Sequence, residues 1–169
     1  MGKFGKNYKQ KKFKPRLTPE ESIMKINSHY GVTIALDDDE IDITNPKRGP
    51  GYYLATDISR PEFPYCSKLS LTIPEDQQKD LMPKMPELRT LALVQNNIKN
   101  LYLKRALFGN LSSLILENNK IATVENLDCL KYLRSLTEVR LYGNPIASNM
   151  DEKKKLTDEY PYISFIFTK

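Results

Sequence analysis

Apolar positions in the second half of the chain recur in a fixed pattern. LSSLILENNKI (111 to 121) places leucine at its first, fourth and sixth positions, asparagine at the ninth and isoleucine at the eleventh. LRTLALVQNNI (88 to 98) and LTEVRLYGNPI (136 to 146) repeat that spacing, with Val139 taking the fourth position of the last copy. The anchors Leu88, Leu111 and Leu136 stand 23 and 25 residues apart. Within each copy the alternation of apolar and other residues predicts a short strand. Between copies the apolar period lengthens towards 3.6. ENLDCLKYLRSL (125 to 136) sets Leu127, Leu130 and Leu133 along one side, and LYLKRALFGNL (101 to 111) offers Leu101, Leu103 and Leu107 less regularly. Helical or 3₁₀ return segments are expected there.

Upstream the pattern is looser. Thr18, Pro19 and Glu21 form the start signal of a helix, a capping box with proline at the first turn. Ile23, Ile26 and Tyr30 give that helix one apolar face, and Gly31 marks its exit. VTIAL (32 to 36) and EIDI (40 to 43) read as strands around the acidic turn Asp37-Asp38-Asp39, and YYLATDI (52 to 58) as a further strand. NPKRGPG (45 to 51), with two prolines and two glycines, predicts a loop. In CSKLSLTIP (66 to 74), Leu69 and Leu71 lie 22 residues before Leu91 and Leu93, but Pro74 fills the asparagine position, as in a degenerate repeat. At the other end, in DEKKKLTDEYPYISFIF (151 to 167), Tyr160, Ile163 and Phe165 are expected to continue the register 24 residues after Leu136, Val139 and Leu141.

A period of 20 to 29 residues with L-x-x-L-x-L-x-x-N-x-L at its head is the signature of leucine-rich repeats. The expected fold is therefore α/β: a short leucine-rich repeat solenoid with parallel strands on its concave face. Residues 1 to 16 form a basic arm, 17 to 65 an N-terminal helix and cap region, and 66 to 169 the repeats with a C-terminal cap. Where each strand ends, inner backbone N–H and C=O groups lose their partners, and a side-chain amide supplies two donors and an acceptor. Asn96, Asn119 and Asn144 are expected to form a buried structural ladder.

Charge changes the picture at one place. Residues 1 to 16, MGKFGKNYKQKKFKPR, hold seven basic residues and no acid. Removing those seven from the 26 basic residues leaves 19 against 21 acidic ones, so the body is close to −2. The arm alone is suited to polyanions. Its cations Lys3, Lys6, Lys9, Lys11, Lys12, Lys14 and Arg16 are interleaved with Phe4, Tyr8 and Phe13, a mixture that serves phosphate contact and base stacking on single-stranded or particle-embedded RNA. The bland alternative is a solubilising or import tail.

GNPI at 143 to 146, followed by a polar helical stretch and EYPYISFI (159 to 166), resembles the ending of a subset of intracellular leucine-rich repeat proteins. Among them are the nuclear mRNA export receptors, which NLSSLILENNKI is similar to, and the spliceosomal U2 A-prime protein, similar in the spacing of LDCLKYLRSLTEV. The resemblance covers about residues 66 to 167, and Tyr160 departs from it by replacing the usual apolar residue. It implies an adaptor in a ribonucleoprotein of mRNA export type, intracellular and preferentially nuclear. The alternatives are a scaffold anchored in a ribosome or spliceosome by its arm, and a purely protein-binding module.

Strand alternation directs two columns outwards: Ser70, Ala92, Ile115 and Arg140, and beside them Thr72, Val94, Glu117 and Tyr142. Within these, Ala92, Val94, Ile115, Glu117, Arg140 and Tyr142 are the candidate protein-binding residues. Lys153 to Lys155 and Lys47-Arg48 read as solvated surface charge, as does the run Asp37 to Glu40, which lacks a calcium-loop pattern. The two cysteines, Cys66 and Cys129, read as core residues. With one histidine, His29, and no nucleophile elbow, phosphate loop or metal-ligand cluster, the expectation is a non-enzyme without cofactor or metal. No apolar run approaches the length of a membrane span.

Overall fold

The computed structural model describes residues 16 to 44 and 53 to 169. Helix α1, Pro19–Tyr30, begins at Thr18, whose hydroxyl accepts from the Glu21 N–H while the Glu21 carboxylate accepts from the Thr18 N–H. It ends at Gly31, whose φ of 67° lets its N–H turn back to the Asn27 carbonyl. Ile26 and Tyr30 are buried and Ile23 half-buried, so the expected apolar face packs inwards.

Among the described residues six parallel strands make one sheet: β1 (Glu40–Ile43), β2 (Lys68–Leu71), β3 (Thr90–Ala92), β4 (Ser113–Ile115), β5 (Glu138–Arg140) and β6 (Ser164–Ile166). Their order across the sheet is their order in the chain. Register carries Ile41, Leu69, Leu91, Leu114, Val139 and Phe165 in one inward row. Parallel neighbours need a crossover of a dozen or more residues. Short 3₁₀ turns lie in these crossovers at Glu75–Asp80, Arg105–Leu107 and Val124–Tyr132. Leu127, Leu130 and Leu133 are buried, as their spacing requires.

The entry to each strand is also repeated. The N–H of Cys66, Leu88, Leu111, Leu136 and Ile163 turns back to the carbonyl of Phe63, Met85, Phe108, Leu133 and Tyr160 respectively. Cys66 thus stands where later copies have leucine, and it is fully buried. A single apolar cluster runs from Ile26 to Ile163.

Three sequence expectations need correction. VTIAL forms no strand, because the Asn27 side chain takes up both backbone groups of Ile34, accepting its N–H at 2.9 Å and donating to its carbonyl at 3.0 Å. Leu54–Ile58 is a helix, α2: Leu54, Ala55 and Ile58 are buried, and Asp57 is drawn to α1. EIDI is the strand expected, and it joins the sheet, extending the stack one strand beyond the degenerate repeat. At the far end, Phe165 rather than Ile163 pairs with Val139. Ile163 is used in the strand-entry turn with Tyr160, which pushes the paired residues later in the chain. Before this last strand, helix α3 (Met150–Glu159) is capped by Asn149, whose side-chain oxygen accepts from the N–H groups of Asp151 and Glu152. It buries Leu156 against the cluster.

Candidate interaction surfaces

The asparagine positions lie inside. Asn96, Asn119 and Asn144 are buried. Asn119 accepts from the N–H groups of Asn96 (2.9 Å) and Ile98 (3.1 Å) and donates to the carbonyls of Leu93 (2.7 Å) and Leu116 (2.9 Å). Asn144 accepts from Ile121 N–H at 3.1 Å and donates to the carbonyls of Leu116 (2.8 Å) and Leu141 (3.1 Å). Asn96 accepts from Ile73 N–H and donates to the Leu71 carbonyl, so it also ties in the copy that has proline at this position. Immediately before each asparagine the backbone is left-handed: Gln95 and Asn118 at φ 56°, Gly143 at 73°. That turn exposes the end of the strand to the next amide. These residues are fully engaged in structure and offer a ligand nothing.

The outward face of the sheet is built in rows. Asp42, Ser70, Ala92, Ile115, Arg140 and Ile166 are in register across all six strands. The row one step earlier reads Glu40, Lys68, Thr90, Ser113, Glu138 and Ser164. Its charges are largely internal: Lys68 meets Glu40 at 3.4 Å, and Glu138 accepts from Arg140 Nε at 2.9 Å. Among the candidate protein-binding residues, Val94, Ile115, Glu117, Arg140 and Tyr142 are half-buried on this face. Ala92 is a correction. It is buried, at 7% exposure, because its methyl is too short to rise past its registered neighbours Ser70 and Ile115. The surface on offer is therefore Val94, Ile115 and Tyr142, with the carboxylate of Glu117 among them.

Of the arm, only Arg16 belongs to the described residues, and it is exposed. Lys3, Phe4, Lys6, Tyr8, Lys9, Lys11, Lys12, Phe13 and Lys14 lie outside them, as do Lys47 and Arg48. Lys153 and Lys155 of α3 have local partners. Lys155 meets Glu152 at 2.7 Å, and Lys153 Nζ stands 4.9 Å over the Phe167 ring. In the acidic turn, Asp38 accepts from Ala35 N–H at 2.7 Å.

Three polar sites have no counterpart in the sequence reading. Asp57, buried on α2 against α1, gathers the Tyr30 hydroxyl (2.7 Å), Lys25 (3.0 Å) and Arg60 Nε (3.4 Å). On the return side, Glu75 accepts from the N–H groups of Lys99 and Asn100, and Gln78 from that of Tyr102. One turn on, Glu152 accepts from Val124 N–H at 2.9 Å; the Lys155 ammonium and this N–H hold its carboxyl below the usual carboxylate range. The only advance signal for these groups was a carboxylate or amide near the start of a return segment, which is too common to single out. Burial pushes the thiols of Cys66 and Cys129 up to about 11, making both poor nucleophiles at neutral pH.

Among the described residues no His, Cys, Asp and Glu group has metal-binding geometry, and no helix is long and apolar enough to cross a membrane. Compared with protein-family models and with curated protein sequences, the chain matches none.

Proposed function

We propose that the chain is a short leucine-rich repeat solenoid serving as a non-enzymatic adaptor in a ribonucleoprotein, with RNA held by the basic arm and a protein partner on the outward sheet face. The observation that carries this reading is the separation of charge: seven cations without an acid in residues 1 to 16, against a body of about −2. The parallel sheet whose strands follow chain order, the near-constant period and the buried amides support the repeat architecture. The basic sequence ahead of the repeats and the likeness of NLSSLILENNKI to the repeats of export receptors support an mRNA export role in the nucleus over anchorage in a ribosome or spliceosome.

Deleting residues 1 to 16 tests it. The intact chain should bind single-stranded RNA with log K falling against log salt at a slope of roughly −5 if all seven cations meet phosphates, and the deletion should abolish that binding. A slope near zero for the intact chain would remove RNA from the reading. The second reading, a protein-binding module whose arm is only a tail, is favoured by the Val94, Ile115 and Tyr142 surface, and would leave the deletion without measurable effect on its partner.

A further inference from the structure

We propose that the cleft between the start of α1 and the segment following α2 is the first docking site on the body for single-stranded RNA arriving along the arm. The inference rests on the RNA reading above and adds a place to it. The cleft encloses about 790 Å³, within the range of small-molecule sites and large enough for a nucleotide. Arg16, Arg60 and Lys84 line it together with Leu17, Pro61 and Met82. Arg16 is two residues beyond Lys14, so a strand bound along the arm is delivered to the lip of this cleft.

The cations are held in place. Lys84 Nζ donates to the Arg60 carbonyl at 3.0 Å, and Arg60 Nε leans on Asp57 at 3.4 Å. A fourth cation stands beside them, Lys104, with its Nζ 3.4 Å from Met82 Sδ. Leu17 and Met82 are 41% and 44% exposed, large apolar groups standing in water that the core does not require. A flat nucleobase covers such a surface, and the polarizable thioether favours contact with an aromatic ring.

Glu62 and Asp80 also line the cleft. With three lining cations against these two carboxylates it is a weak phosphate site alone, so affinity comes from the arm and position from the cleft. The carboxylates accept hydrogen bonds from exocyclic amino groups, which cytosine carries and uracil lacks.

The test titrates the full chain with fluorescein-labelled twelve-nucleotide RNAs of cytidine or of uridine. Arg60→Ala with Lys84→Ala should weaken binding of the cytidine RNA about tenfold and make the salt slope shallower by roughly 1.4, two phosphates at 0.7 each, with an unchanged circular dichroism spectrum. Glu62→Gln with Asp80→Asn should reduce the preference for cytidine over uridine RNA. If the double alanine variant binds with wild-type affinity and slope while deletion of the arm abolishes binding, the cleft is not a site and the RNA reading stands. If the wild-type chain binds neither RNA, that reading falls and the cleft with it.

Discussion

The side-chain oxygen of Asn119 holds the backbone N–H of Asn96 at 2.9 Å, so one buried amide fixes the strand exit that carries the next. Asn119→Ala would remove the acceptor from the Asn96 and Ile98 N–H groups and a donor from the Leu93 carbonyl. Each buried group left unpaired costs about 1–3 kcal/mol. A loss of roughly 3 kcal/mol or more is expected in urea unfolding. A change below about 1 kcal/mol would mean that water takes over the amide's bonds.

Gly143 has a φ of 73°, and a Cβ there would collide with the Asn118 side-chain amide and approach Asn118 Cα to 3.3 Å. Gly143→Ala should destabilise the protein by about 1–2 kcal/mol, from left-handed strain and the clash together. Adding Asn118→Gly removes the colliding amide and should restore part of the loss. A thermal melt of the double variant no higher than that of the single one would assign the whole cost to the backbone.

If the outward sheet face holds the proposed protein partner, Val94→Asp with Ile115→Asp should abolish its capture while costing little stability, about 1 kcal/mol or less, because both residues are half-buried. Far-UV circular dichroism distinguishes the outcomes. A collapsed spectrum would show that the two side chains belong to the core.

Glu152 titrates below its ordinary value because Lys155 and Val124 N–H favour the carboxylate. A depressed folded pKa stabilises the native state above the unfolded value of 4.5, and that contribution fades as pH falls through the folded pKa. Melting temperatures of wild type and Glu152→Gln should therefore differ at pH 7 and converge as the solution is acidified below about pH 4. Curves that stay parallel down to pH 3 would mean the carboxylate's charge contributes nothing.

Much of the architecture was legible because a strand inside a repeat states its register several times over. Leu91, Leu114 and Val139 occupy equivalent positions in sequence and lie in one row of the sheet. Reading failed where the pattern is stated once. The backbone groups of Ile34 bond to the Asn27 side chain, a local solution that alternation cannot distinguish from a ladder. Leu54, Ala55 and Ile58 fit a helical turn as well as a strand in so short a run. The last strand slipped because Ile163 was needed for its entry turn, leaving Phe165 to face Val139. On the outward face, alternation gave direction but not height: Ala92 points out and is nevertheless covered. The Asp57 hub joins residues 27 and 32 positions apart with no periodic cue.

Because, among the described residues, each strand bonds only to the strands before and after it in the chain, the two ends of the sheet are joined through every layer between them. Amide exchange should accordingly be slowest at β3 and β4 and quicken towards both margins, where one neighbour is missing. A molecule organised in this way can be lengthened or shortened by a whole layer without redrawing the rest, so its size is a free variable for evolution and its middle is not.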